Sequence, residues 1–243
     1  MTWQQDYVDQ YYPRSKGWLD GTTVFHEMCA AHIRQGSSIL EIGAGPSNPT
    51  SKFLSTIGEV VGVDIDPKVK SNKHLTEVFI LEADTLPFGD CSFDACASNY
   101  VLEHIMNPEI HFSEVTRVLK PGGVYVFRTP NLFHYVSLVA RVTPHWFHRL
   151  VANRLRNIPP EGDDPYQTFY RLNSRRAIFK ASAAVGLVVR ELRMIEKEPS
   201  YGMSSRVLFL ASLGYERAVN SSEIFAPIRA NIFGVLQRPG DKP

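Results

Sequence analysis

Cysteine is scarce in this chain of 243 residues: there are three, Cys29, Cys91 and Cys96, at spacings that fit neither a disulfide framework nor a metal-ligating motif. An odd set of free thiols suits a reducing compartment, so a cytoplasmic location is expected. Net charge is also nearly missing, with 26 Lys and Arg against 25 Asp and Glu, which removes the global electrostatic signature of a nucleic-acid binder. Long apolar runs are absent; the longest, around Val136 to Ala140, is far short of a membrane span. The opening Met1-Thr-Trp-Gln-Gln-Asp6 has no basic region followed by an apolar run, so no secretory leader is expected. What is present is a hydrophobic content of 44%, enough to bury one substantial core.

The most informative stretch is Ile39-Leu-Glu-Ile-Gly-Ala-Gly-Pro-Ser-Asn-Pro-Thr50, followed by Val60-Val-Gly-Val-Asp64. An apolar strand runs into a glycine turn, the turn feeds a helix, and a second apolar strand ends on a carboxylate suited to ribose hydroxyls. Gly43 and Gly45 provide the backbone freedom that a tight turn against a ligand requires. Asn48 before Pro49 supplies an N-cap and a pre-set first helical residue. A dinucleotide fingerprint wants a small residue three positions after Gly45, and Asn48 stands there instead. Glu41 would repel a pyrophosphate and attract a cation.

On these residues the segment resembles motif I of the class I S-adenosylmethionine-dependent methyltransferases, whose cofactor carries a sulfonium and an ammonium group. Later segments are similar to the same family. Glu77 to Glu82 reads as a strand leading to Ala83-Asp-Thr-Leu-Pro-Phe88, like the family's adenine-binding turn; Ser92 to Asn99 reads as a fourth strand; and Leu119-Lys-Pro-Gly-Gly123 resembles a turn of its small-molecule branch. The resemblance implies an α/β, Rossmann-like, doubly wound seven-stranded sheet with an antiparallel last strand. It implies S-adenosyl-L-methionine as cofactor, held by Glu41, Gly43, Ala44, Gly45, Asp64, Ile65, Asp84, Thr85 and Asn99. Ser47 departs from the family, which usually has a third glycine there.

Around this core we expect one domain over residues 1–243, with an N-terminal helical lid (1–38) and a helical cap insertion (131–173). Trp3, Tyr7, Tyr11, Tyr12 and Trp18 give the N-terminal segment an aromatic content that serves either a lid over the ligands or simple docking on the core. In the insertion a helix is expected from Asn131 to Val142, and a second to about Arg156 with Trp146, Phe147, Leu150, Val151 and Leu155 on one face. A helix from Ser174 to Ala184, a strand from Leu187 to Ile195, a helix from Ser205 to about Val219 and a strand from Ile232 to Gln237 complete the pattern.

Methyl transfer from a sulfonium is an in-line displacement, so the protein must align the acceptor, exclude water and remove a proton if the acceptor is a hydroxyl. The catalytic candidates are His104, oriented by Glu103, and Tyr100. Relatives that methylate ubiquinone precursors carry a further carboxylate before this Leu-Glu-His and use a divalent metal; Tyr100 stands there, and no metal is expected. His104 alternatively braces the loop. Substrate candidates are Tyr11, Trp18, His134, Tyr170 and Arg171, with Tyr135, His145 and His148 in the cap as lesser ones. Arg141, Arg149, Arg154 and Arg156, with no acid between residues 131 and 157, suit an anionic acceptor, a membrane surface or a solvated helix face. The acceptor is expected to be a small molecule or glycoconjugate methylated at oxygen, with nitrogen or carbon as alternatives, and the protein a monomer or homodimer. An NAD-dependent oxidoreductase and a non-catalytic cofactor-binding subunit are the competing readings.

Overall fold

The computed structural model describes residues 2–142, 166–197 and 203–240, with side chains omitted for 139–142. The second cap helix, His145, His148, Arg149, Arg154 and Arg156 therefore lie outside the described residues, as does the side chain of Arg141.

A seven-stranded sheet has the order β3-β2-β1-β4-β5-β7-β6, built from β1 (Ser38–Ile42), β2 (Glu59–Asp64), β3 (Glu77–Ile80), β4 (Phe93–Asn99), β5 (Leu119–Pro130), β6 (Val188–Ile195) and β7 (Asn231–Gln237). The first five strands pair in parallel. β7 runs antiparallel to β5: the Gly122 amide donates to the Arg238 carbonyl and the Asn131 amide to the Ala230 carbonyl, so partner numbers fall as β5 advances. The expected seven-stranded Rossmann-like sheet with its reversed last strand is what the chain forms. Four of the five β1 residues are buried, as befits a central parallel strand covered on both faces.

The chain divides into two compact units. One comprises residues 22–130, 167–193 and 232–243, the other residues 1–21, 131–166 and 194–231. In the first, helices α2 (Gly21–His32, from Thr22 on), α3 (Pro49–Leu54), α4 (Pro108–Val118) and α6 (Arg175–Ala184) accompany the parallel strands. Ile39, Leu40, Leu54, Phe112, Tyr125 and Phe127 are among its fully buried side chains. His26 of α2 stacks on Phe53 of α3, with centroids 4.4 Å apart and planes 2° from parallel, so the second half of the expected lid belongs to this unit.

The other unit contains α1 (Trp3–Tyr11), α5 (Tyr135–Val142) and α7 (Arg206–Asn220). Here Trp3, Tyr7, Tyr11 and Tyr12 all pack on the fully buried Phe209, with centroid distances of 5.4 to 6.5 Å. Helix α5 begins at Tyr135 rather than Asn131, because Asn131 serves as a turn: its Oδ1 accepts from the Phe133 amide and its Nδ2 donates to the Pro227 and Arg229 carbonyls.

Candidate functional site

The carboxyl ends of the parallel strands carry the expected polar residues. Gly43 and Gly45 both have positive φ, 70° and 54°, and a Cβ on Gly43 would overlap the Val101 side chain. Gly45 needs its glycine for conformation alone, since the space around it is open. The turn is held by its neighbours. Gly43 and Ala44 donate their amides to the Val63 carbonyl, and Gly45 donates to Asp64 Oδ2 at 2.8 Å. The other Asp64 oxygen accepts from the Asp66 amide, also at 2.8 Å.

Asn48 caps α3 as its side chain predicts, accepting from the Thr50 and Ser51 amides while donating to the Ala44 carbonyl at 2.7 Å. Ser47, the departure from the family pattern, acts as a tie: its hydroxyl donates to the Ser71 carbonyl and accepts from the Lys73 amide. Asn72, 5% exposed, donates to the Gly45 carbonyl and to Ser51 Oγ.

Two acceptors at these strand ends have no partner: Glu41 Oε2 and Asn99 Oδ1, both buried. Glu41 pairs in register with Ala97, and Asn99 follows two positions later, so both side chains lie on one face of the sheet. Asn99 Nδ2 donates to Thr50 Oγ1 of α3 at 3.2 Å. Burial pushes the Glu41 carboxyl up to about 7, opposed by a hydrogen bond to Ser51 and reinforced by the nearby Asp64 carboxylate. Buried acceptors left unsatisfied next to a glycine turn form a site that a cationic, hydrogen-bond-donating group would complete.

Beside Asp64, Ile65 is 59% exposed, an apolar surface at the rim. Asp84 and Thr85 are exposed in the turn after β3, and Asp84 Oδ2 accepts from Asn107 Nδ2 at 2.9 Å.

Beyond β4 the chain turns sharply. Tyr100 has φ 61° and packs its ring on the Arg128 guanidinium at 4.4 Å. Leu102–His104 then forms one 3₁₀ turn, and α4 begins only at Pro108. Segment 167–173 holds this loop: the Phe169 and Tyr170 amides donate to the Glu103 carbonyl, and Arg171 donates to the Met106 carbonyl at 2.9 Å. His104 Nδ1 lies 2.9 Å from the Gln167 carbonyl. A carbonyl only accepts, so Nδ1 carries a proton.

The Gln167 carbonyl holds the ring at Nδ1, and Glu103 Oε1 stands 4.0 Å from Nε2. Glu103 is itself buried, accepts from the Thr129 hydroxyl at 3.1 Å, and has its carboxyl raised to about 7 by burial, against the hydrogen bonds it accepts and the Arg128 charge. Asn173 Nδ2 extends this network to Thr129 Oγ1 at 2.7 Å.

The methyltransferase-domain family matches residues 40–127, the span containing the glycine turn, Asp64, Asp84, Asn99 and His104. The matched residues lie within the compact unit of residues 22–130, 167–193 and 232–243. Demethylmenaquinone methyltransferase of Staphylococcus haemolyticus is 32% identical to the chain over 111 residues, which are 42% of this chain and 46% of that protein. The chain covers between 32% and 47% of the length of the first curated relatives it matches.

Two solved structures show the same fold at low identity. A SAM-dependent methyltransferase from Methanosarcina mazei aligns with a TM-score of 0.58 at 16% identity, covering 88% of this chain and 98% of that one. Geranyl diphosphate C-methyltransferase from Streptomyces coelicolor, solved with Mg²⁺, geranyl diphosphate and S-adenosyl-L-homocysteine, gives 0.56 at 18%, covering 89% and 79%.

Within the matched span and the segment 167–173 that braces it, the structure gathers Glu41, Gly43, Ala44, Gly45, Asp64, Ile65 and Asn99 at the strand ends, and Tyr100, His104, Tyr170 and Arg171 around the loop beyond β4. Arg171 points to solvent and lines a cavity of about 510 Å³ with Asn107, Ile110 and Lys180. Tyr11, Trp18 and His134 are partnered in the other unit. Tyr11 packs on Tyr7 and Phe209, and Trp18 packs on Tyr12 beneath the Lys197 ammonium.

His134 is 6% exposed, with its ring against Tyr135 and Tyr215 and Nε2 3.6 Å from Glu196 Oε2, and burial pushes it down to about 4. This geometry gives His134 the surroundings of a neutral core histidine. Asn72, Thr129 and Asn173 are not among the expected site residues, and each acts through contacts distant in sequence.

Proposed function

We propose that the protein transfers a methyl group from S-adenosyl-L-methionine to a hydroxyl of a small molecule or glycoconjugate. The observation that carries this reading is the pair of unpartnered buried acceptors, Glu41 Oε2 and Asn99 Oδ1, on one sheet face beside the glycine turn. A dinucleotide would set a pyrophosphate against Glu41, whereas the ammonium and sulfonium of S-adenosylmethionine complement it. When bound, that cofactor supplies an electrophilic methyl group on a good leaving group.

Asp64, already pinned by the Gly45 and Asp66 amides, accepts from the ribose hydroxyls, and the exposed Ile65 lies against the adenine that Asp84 and Thr85 border. His104 takes the acceptor's proton at Nε2 while the Gln167 carbonyl keeps Nδ1 protonated, and Tyr100 and Tyr170 flank the acceptor. The oxygen preference rests on this base. Demethylmenaquinone methyltransferase, whose name describes a quinone-type acceptor, supports a small-molecule substrate for the domain.

Calorimetry with S-adenosyl-L-homocysteine and with NAD tests the cofactor: binding of the first alone is expected, and binding of NAD alone overturns it. Formation of S-adenosyl-L-homocysteine on incubation with hydroxyl-bearing acceptors, abolished when the hydroxyl is capped, tests the acceptor atom.

A further inference from the structure

Among the described residues one charged group at the strand ends forms no ion pair. Arg128 follows the buried run Tyr125-Val-Phe127 on β5 and pairs in register with Asn99. Its side chain therefore shares the sheet face of Asn99 and Glu41. It is 8% exposed, and its Nε is buried with no hydrogen-bond partner. Among the described residues the guanidinium makes one long hydrogen bond, Nη1 to Thr22 Oγ1 at 3.4 Å, and lies between the rings of Tyr100 and Phe233, 4.4 and 5.3 Å from their centroids.

Among the described residues no carboxylate forms an ion pair with it. Glu103 feels its charge, but hydrogen-bonds Thr129 instead. A guanidinium cannot shed its proton, and ring faces replace only part of the hydration lost on burial. A buried cation in this state is strongly destabilising unless something pairs with it.

Across the sheet the carboxyl ends read in order: Asp64 on β2, the Glu41 acceptor on β1, the Asn99 acceptor on β4, then the Arg128 cation on β5. The first three suit the cofactor's ribose and its cationic end. The fourth has the opposite sign and stands on the side where Tyr100 and the loop bearing His104 begin.

We propose that Arg128 holds an anionic group, a carboxylate or a phosphate, carried by the methyl acceptor, which makes this an enzyme for acidic acceptors; the proposal rests on the methyl-transfer reading above. Tyr100 covers the guanidinium. Its ring is 39% exposed, its backbone has the positive φ that side-chain-bearing residues rarely adopt, and its amide is fixed to the Arg128 carbonyl at 2.8 Å. Swinging that ring aside uncovers the free Nε and the bidentate edge of the guanidinium for an oxyanion.

The test uses the whole chain saturated with S-adenosyl-L-homocysteine and titrated with benzoate, phenyl phosphate and neutral benzamide, following the melting temperature against sodium chloride of equal ionic strength. Benzoate or phenyl phosphate should raise the melting temperature and benzamide should not. Arg128→Met should abolish the response, and Arg128→Lys should retain a weakened one, with cofactor-product affinity within about threefold of wild type in both. If the Met variant does not fold, the Lys variant decides.

A loss of S-adenosyl-L-homocysteine affinity of about tenfold or more in the folded variants overturns the proposal, because Arg128 then serves the cofactor's own carboxylate. Absence of any anion response in wild-type protein that binds S-adenosyl-L-homocysteine overturns it too, leaving Arg128 a packing residue. Wild-type protein that fails to bind S-adenosyl-L-homocysteine overturns the methyl-transfer reading and this one with it.

Discussion

The two halves of the candidate site are held together differently. Around the glycine turn the stabilising partners lie nearer along the chain than beyond β4: Asp64 reaches Gly45 across 19 positions and Asn72 reaches the same residue across 27. Beyond β4 the loop relies on distant partners: His104 and Arg171 each make a bond spanning more than 60 positions, to Gln167 and Met106 respectively. A turn fastened by its own neighbours pre-shapes a cofactor cradle, while a loop clamped by a remote segment can change its clamp without disturbing that cradle. Substitutions in the two halves should therefore separate cofactor affinity from turnover.

The largest separation is expected at His104. His104→Ala should lower turnover about 100-fold while S-adenosyl-L-homocysteine affinity stays near wild type, as for a group acting in the transition state. Single-turnover kinetics showing a near-normal rate would reduce His104 to a brace for the 167–173 segment.

Asp64→Ala should act in the opposite sense. It removes two backbone-amide contacts and the ribose acceptor, so affinity for the cofactor should fall about 30-fold in a protein that still melts cooperatively. Unchanged affinity by calorimetry would detach Asp64 from the site.

A third experiment follows stability against pH. Burial raises the Glu41 and Glu103 carboxyls from 4.5 to about 7, so the folded state keeps protons that the unfolded state releases. Their contribution is full below the unfolded value, declines as pH rises and is lost on passing about 7. Stability of the ligand-free protein should fall by about 3 kcal/mol per carboxyl over that window. Urea denaturation of Glu41→Gln should show a shallower decline, and a slope identical to wild type would mean that Glu41 ionises freely in the fold.

The smallest effect belongs to the exposed Asp84. Asp84→Asn keeps an oxygen that can accept from an adenine amino group, so it should weaken cofactor binding less than Asp84→Ala, and both only by about threefold to tenfold. Equal and negligible losses would remove Asp84 from the cradle.

The near-neighbour half was readable in the residues. Asn48-Pro49 announced the cap of α3, the glycines announced positive φ, and apolar runs announced strands that end at Asp64 and Asn99. Each signal works through torsions or hydrogen bonds a few residues long. The start of α5 was misplaced by four residues because Asn131 answers to Pro227 and Arg229, which no local pattern exposes.

His134 shows the same limit: beside Tyr135 it reads as a pocket residue, yet Tyr215 and Glu196 make its surroundings a buried core. The resemblance to the methyltransferase family thus carried the sheet and its reversed last strand, while local pattern carried the places of the strands and of the glycine turn, because apolar runs and turn torsions are local properties. Which atoms ended up buried without hydrogen-bond partners, Glu41 Oε2, Asn99 Oδ1 and Arg128 Nε above all, was settled by strand register and by the helices laid over one face, since satisfaction of a polar atom depends on every element that packs against it.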